Sequence, residues 1–369
     1  MNKPNIREFE IKKERLLNFM DAEGYEAVVI GTQANFSWIS GGGDSHVLLN
    51  SELGEALLVI TKDKRICIAN TTDARRIIEQ ELDGLGFELV TLKWFETPKD
   101  VYAANLVKGK KALADFAVEG TEYNFKKFYK LHYPLTEAEI ERYRVLGRET
   151  EEILWDVAKR IKPGMTGSDV ETLLICTYAK KKIHVPCMII GVDEEISCWR
   201  HPIPWDKEIR QCVMLVLAVR RNGLYVPITR MVYFGDIPEE MKKRFDAICT
   251  IAADTILSCR AGEKFTSVSQ RQKALYKTLG FEEEWEKHYV GGITGYIAND
   301  GSLCVDDDAV ITESMTFNWY VTITGVNTED TMITTRDGYE LFTVNGFWPT
   351  REVVTEKGTI QIPDIYVVK

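Results

Sequence analysis

The sequence predicts an α+β protein with two domains, a small N-terminal α/β domain (1–133) and a larger domain (134–369) built from two similar halves. Three observations carry that expectation. Over the first 133 residues short apolar runs alternate with helical patterns, as in a layered α/β unit. After residue 134, long amphipathic helices alternate with β-rich stretches. Within the larger domain a single helix–turn–helix phrase occurs twice: Lys162-Pro163-Gly164 leads through a polar cap to Val170, and Arg260-Ala261-Gly262 leads through another to Val268. Such an echo predicts a duplicated domain with a pseudo-twofold axis, and a ligand site between the halves.

Taken in order, Phe9, Leu16, Leu17 and Met20 fall at helical spacing over residues 6–24, closed by Gly24. Strands are predicted at Ala27–Ile30, Ala56–Ile60, Arg65–Ala69 and Glu88–Leu92, with a helix from Thr72 to Leu82 between the last two. The segment Asn35 to Gly43 joins Phe36 and Trp38 to three glycines. It reads either as a strand end with a flexible turn or as a lid over a site in another domain or subunit. The domain boundary is placed near Tyr133-Pro134. Directly after it Thr136 and Glu139 form a capping box that starts a long helix to about Ile161.

Composition bounds the function. Apolar content of 45% and charge of 28% are those of a soluble globular protein. A net charge of −10 argues against nucleic acid or an anionic membrane as partner. No apolar run reaches transmembrane length, and residues 1–19 read as a charged amphipathic helix rather than a signal peptide. The eight cysteines are scattered with no C-x-x-C pair, which predicts reduced core residues and a cytoplasmic protein.

The chemistry concentrates late in the chain. Trp199-Arg200-His201-Pro202 precedes a hydrophobic strand, a turn at Asn222-Gly223 and a second strand ending Ile228-Thr229-Arg230. Beyond it come His288-Tyr289-Val290-Gly291-Gly292, then Tyr296, and strands holding Trp319, Tyr320 and Glu329-Asp330-Thr331. This order of elements, with Pro-Gly-Met-Thr, Arg-His-Pro and Ile-Thr-Arg before a late Glu-Asp-Thr, resembles the creatinase/prolidase/aminopeptidase P superfamily over nearly the whole chain. The resemblance implies the "pita-bread" fold for the second domain, which also explains the echo. It implies a homodimer and a small-molecule or short-peptide substrate.

Peptidases of that superfamily hold two divalent metals with two Asp, one His and two Glu. Carried over by position, these fall on Val216, Pro227, Gly292, Tyr320 and Glu329, so only Glu329 keeps a metal-binding side chain. The expectation is therefore no metal and no other cofactor. Two dications held close together need several carboxylates to offset their repulsion.

By the same resemblance His201 matches a histidine beside the substrate, used as acid/base in the metal-free creatinase branch. Glu329 is the second catalytic candidate, holding a water or orienting a cationic or amide-bearing substrate. Arg200 and Arg230 are candidates for clamping a substrate carboxylate, and Tyr296, Trp319, Tyr320 and Trp38 for aromatic walls. Each has a plainer account. His201 and Glu329 also fit structural hydrogen-bonding roles, Arg230 fits a strand-end tie, and the aromatics fit core positions. His288 fits either a catalytic partner or an exposed helix end, and Asp306-Asp307-Asp308 a solvated turn. The functional expectation is a metal-independent hydrolase of a C–N bond in a small carboxylate-bearing amide or amidine-like substrate. An Xaa-Pro aminopeptidase- or dipeptidase-like metallopeptidase and a non-catalytic binding protein are the alternatives.

Overall fold

The first apolar stripe folds into α1 (Ile6–Glu23), started by the Asn5 side chain, which accepts from Glu8 N, and stopped by Gly24 at φ 72°. The computed structural model describes residues 4–298 and 309–369, so Asp306-Asp307-Asp308 lies outside the described residues. The chain divides into two compact units, Met1–Glu139 with the hairpin tip Asn222–Leu224, and Ile140–Arg221 with Tyr225–Lys369.

In the first unit six strands form one sheet in the order β4-β3-β2-β1-β5-β6. They are β1 (Ala27–Thr32), β2 (Leu53–Thr61), β3 (Arg65–Asn70), β4 (Glu88–Leu92), β5 (Ala112–Ala114) and β6 (Glu122–Tyr123). Their inward residues, among them Val29, Val59 and Ile68, make an apolar core against α4 (Lys99–Leu106), while α3 (Ala74–Arg76) and α5 (Phe125–Leu131) fill out the unit.

One segment departs from expectation. The first part of the segment Asn35 to Gly43, read as a strand end with a turn or as a lid, belongs to α2 (Gln33–Ile39). The Thr32 side chain caps it by accepting from Asn35 N, and Phe36, Trp38 and Ile39 are buried. The glycines that suggested a mobile loop only turn the chain after this helix, with Gly41 at φ 75°. The carbonyl of Trp38 accepts from Lys12 Nζ at 2.8 Å. Lys12 is itself buried between Glu8 at 2.6 Å and Glu139 at 2.8 Å.

The capping box predicted at Thr136 is present: Thr136 N donates to Glu139 Oε2 at 2.7 Å, ahead of α6 (Glu137–Ala158). A second box, Thr166 with Asp169, starts α7 (Gly167–Lys180). After β7 (His184–Val192), the short α8 (Glu195–Cys198), β8 (Cys212–Arg221) and β9 (Leu224–Phe234), the helix pair recurs as α9 (Glu239–Ser258) and α10 (Phe265–Thr278). The strands β10 (Gly292–Ile293), β11 (Thr316–Ile323) and β12 (Val326–Thr334) follow.

The second sheet runs β10-β11-β12-β9-β8-β7. Each half supplies an edge strand and a hairpin, and the halves meet where Glu329 of β12 pairs with Thr229 of β9. That arrangement is the duplication the helix–turn–helix echo predicts. Strand β13 (Tyr339–Leu341) extends β12, β14 (Thr350–Thr355) and β15 (Gly358–Pro363) form a separate hairpin, and β16 (Tyr366–Val368) lies parallel to β9. Among the described residues no helix is long and apolar enough to cross a membrane.

Candidate active site

Strand periodicity sorts the second sheet into two faces. Cys187 and Ile189 of β7, Val216 and Ala218 of β8, Asn318 and Tyr320 of β11, and Asn327 and Glu329 of β12 are pairs two residues apart. All of them line one cavity of about 160 Å³. Cross-strand register brings them together, with Ile189 opposite Val216 and Tyr320 opposite Glu329.

The opposite face is structural. There Arg230 lies buried, donating to Asp330 Oδ1 at 2.7 Å and to the carbonyls of Thr229, Glu329 and Thr343. Trp319 also points that way, stacked on Phe317 at 5.7 Å. The plainer accounts of Arg230 and Trp319 are the ones this geometry matches.

Two loops close the cavity, each seated by a glycine. A Cβ at Gly191 would lie 2.9 Å from Pro202 Cγ, so glycine lets the 199–205 loop settle on β7 and carry His201 to the cavity. A Cβ at Gly291, where φ is +94°, would lie 2.3 Å from Asn318 O, so glycine lets the segment after His288 hug β11. The loops are tied together by Arg200, whose guanidinium donates to Glu284 Oε2 at 2.5 Å and to Thr324 Oγ1 at 3.3 Å. Burial pushes the Glu284 carboxyl upward. Hydrogen bonds from Lys287, Thr324 and Arg200 outweigh it and hold the group at about 2.

Thus anchored, His201 Nε2 lies 3.1 Å from His288 Nε2. The Nδ1 of His288 is 2.9 Å from the Tyr289 carbonyl, an acceptor, so Nδ1 carries a proton and donates it. In the neutral pair His288 Nε2 is then the acceptor and His201 Nε2–H the donor. Burial, then the charges of His201 and Arg200, hold His288 below the usual imidazole range despite the Tyr289 bond. Its ring meets that of Tyr320 edge-on at 5.1 Å.

Glu329 sits at the floor, accepting from Thr229 Oγ1 at 2.8 Å and from Asn318 Nδ2 at 3.0 Å. Burial nonetheless pushes its carboxyl up to about 7. Burial and the neighbouring Glu329 charge raise the Cys187 thiol.

Of the candidate site residues singled out in the sequence, the cavity gathers His201, His288, Glu329, Arg200 and Tyr320. Tyr296 is buried, its hydroxyl 3.5 Å from Arg142 Nη2, and Trp38 is packed inside the first unit with its ring 5.5 Å from that of His132. Asn318, Asn327 and Cys187 escaped the sequence reading. The signal for them was their spacing, two residues from Tyr320, Glu329 and Ile189 on the same strands.

The profile of metallopeptidase family M24 matches residues 141–369, and that of the creatinase/prolidase N-terminal domain matches residues 12–166. The chain belongs to metallopeptidase family M24. No curated protein sequence matches it. Among solved structures it is similar to dipeptidase PepE from Mycobacterium ulcerans, with 13% identity, a TM-score of 0.80 and full coverage of both chains. It is similar also to the Xaa-Pro dipeptidase from Bacillus anthracis, with 16% identity, TM-score 0.76, 98% of this chain and 100% of that one. The N-terminal domain of the FACT complex subunit SPT16 from Cicer arietinum follows at 13% identity and TM-score 0.69, with 93% and 98% covered. These likenesses establish the pita-bread fold of the M24 domain.

The family name implies metal ions, and the cavity can be tested for them. The positions expected to hold ligands carry Val216, Pro227 and Tyr320 beside Glu329, and Gly292 pairs with Asn318 at the start of β10. Among the described residues Glu329 is the one carboxylate on the cavity. One carboxylate, whose oxygens already accept from Thr229 and Asn318, does not fit a pair of divalent ions.

Proposed function

We propose that this M24 protein is a hydrolase that cleaves a C–N bond in a small amide or amidine-like substrate with its own side chains, His201 serving as the acid/base. The observation that carries this reading is the His201–His288 contact at 3.1 Å on the rim of a cavity floored by Glu329. His288, fixed as the Nδ1–H tautomer by Tyr289, leaves its Nε2 lone pair facing His201. A water molecule adds to the substrate carbon and yields a proton to the pair. The C–N bond then breaks, and His201 returns the proton to the departing nitrogen.

The reading is tested by product analysis on a panel of amides and amidines, before and after exhaustive chelation, with total metal measured on the purified protein. Turnover that survives chelation and vanishes in His201→Ala supports it. Two tightly held transition ions per chain, lost together with turnover, defeat it.

Family membership and the likeness to an Xaa-Pro dipeptidase favour a second reading, a metallopeptidase acting on Xaa-Pro peptides. Metal-dependent cleavage of such peptides in the same panel selects it. The likeness to the FACT subunit domain favours a third, a binding module without turnover. Ligand binding that is untouched by His201→Ala, in a protein that hydrolyses nothing, selects that one.

A further inference from the structure

The outer edge of β11 is open where the strand approaches its turn into β12. Strand β10 is two residues long and pairs with Phe317 and Asn318, so among the described residues no strand meets that edge at Thr322 or Thr324. Residues two apart on a strand turn their N–H and C=O groups to the same edge, and here side chains take the place of the missing strand. The hydroxyl of Tyr276, from α10, brackets Thr322: it donates to the Thr322 carbonyl at 3.0 Å and accepts from the Thr322 N–H at 3.1 Å. Thr324 N donates to Glu284 Oε2 at 2.8 Å, and the Thr324 carbonyl accepts from Arg244 Nη1 of α9 at 2.7 Å.

Thr324 adds a bond of its own. Glu284 is an ionised carboxylate that can only accept, and the Arg200 guanidinium can only donate. The Thr324 hydroxyl, 2.8 Å from Glu284 Oε2 and 3.3 Å from Arg200 Nη2, therefore donates to the first and accepts from the second. With the direct Arg200–Glu284 bond this closes a ring of three side chains. The ring joins the loop carrying His201, the 3₁₀ turn Glu282–Lys287 that precedes His288, and the turn between the two strands that hold Asn318, Tyr320, Asn327 and Glu329. Gly325 completes the joint. Its φ is +94°, and a Cβ there would lie 3.0 Å from Ser197 Oγ, so glycine lets α8, which leads into the 199–205 loop, close on the same turn.

We infer that Thr324 is a positioning residue, whose hydroxyl fixes the His201–His288 pair at a set place over the strands that floor the cavity. The Arg200–Glu284 bond alone ties the two histidine-bearing segments to each other and leaves them free to shift together across the floor. Thr324 supplies the third point. A proton carrier displaced by about 1 Å loses on the order of 10²-fold in rate. The kinetic half of this claim rests on the hydrolase reading, and the geometric half does not.

The experiment compares full-length wild type with Thr324→Val, which keeps the shape and the main-chain bonds, and Thr324→Ser, which keeps the hydroxyl. Imidazole nitrogen–proton correlation spectra report the geometry, with His46 and His132 of the first unit as internal references. In Thr324→Val the resonances of both His201 and His288 are expected to move while the references stay. On the best substrate of the amide panel kcat should fall about tenfold with KM within about twofold. Thr324→Ser should return both the spectra and kcat toward wild type. If Thr324→Val does not fold, Arg244→Met, which removes the bond to the Thr324 carbonyl from outside, should move the same two resonances.

Unmoved His201 and His288 resonances in the folded variant overturn the inference, and so does a loss that Thr324→Ser fails to recover. A plain stitch between elements predicts a lower melting temperature with both resonances in place. The two claims fail separately. A wild type that hydrolyses nothing sinks the hydrolase reading, and moved resonances then still support this inference. Turnover by the wild type, with kcat and resonances unchanged in Thr324→Val, sinks this inference and leaves that reading standing.

Discussion

His201 and His288, 87 residues apart in the chain, meet through their Nε2 atoms at 3.1 Å, and the Tyr289 carbonyl decides which of the two accepts. If the pair works as one proton carrier, removing either member removes the function. His201→Ala and His288→Ala are each expected to lower kcat by about 10²–10⁴. The double variant should be little worse than either single one, because groups that act as a unit are not additive. Steady-state kinetics on the three variants checks this, and additive losses would separate the two imidazoles.

Arg200 acts on that pair from outside it. Its bond to Glu284 ties the loop bearing His201 to the 3₁₀ turn Glu282–Lys287 that leads into His288. Arg200→Met should lower kcat with little change in KM and cost about 1–2 kcal/mol of stability. Arg200→Lys should restore part of both. Imidazole proton resonances report whether the two rings separate, a change that a general loss of stability would not produce on its own.

Local signals in the sequence were enough for much of this architecture. The turn at Asn222-Gly223, with φ of 51° and 80°, closes the β8–β9 hairpin as that dipeptide predicts, and the capping box at Thr136 is set by residues three apart. The segment Asn35 to Gly43 misled because aromatics beside glycines resemble a loop, whereas the Thr32 cap and burial of Phe36 and Trp38 make its first part helical. The cavity was only half legible. Whether Asn318 and Asn327 face Glu329 depends on the register of β11 and β12 and on the seam at Thr229, which are set by pairing across the sheet. Arg230 could be read as a strand end, but its partner Asp330 is found only once β9 and β12 are side by side.

Glu329 makes stability depend on pH in a stated direction. Its carboxyl moves from an ordinary value of 4.5 up to about 7 on folding, with burial as the main cause. Between those values the folded chain binds more protons than the unfolded one, so this group's contribution is full below pH 4.5 and is lost as pH rises through about 7. At about 1.4 kcal/mol per pKa unit the loss is on the order of 3 kcal/mol. Glu329→Gln should flatten the corresponding part of the urea-unfolding profile between pH 5 and pH 8, leaving the variant more stable than wild type at the alkaline end. An unchanged profile would mean that the carboxyl is ionised throughout.

The Arg230–Asp330 pair separates a structural arginine from a substrate clamp. Both side chains are buried on the face of the sheet opposite the cavity, 2.7 Å apart, and Arg230 also donates to three backbone carbonyls. Arg230→Met leaves Asp330 as an uncompensated buried charge, and the expected cost is about 3–5 kcal/mol. Adding Asp330→Leu removes that charge and should recover part of the loss, though the carbonyls of Thr229, Glu329 and Thr343 stay without their donor. A clamp predicts something else: a raised KM for carboxylate-bearing substrates at a temperature where the variant is folded. Denaturant titration of the single and double variants, with KM measured well below their melting temperatures, decides between the two. A stability loss with KM unchanged assigns Arg230 to the seam between the two halves of the sheet.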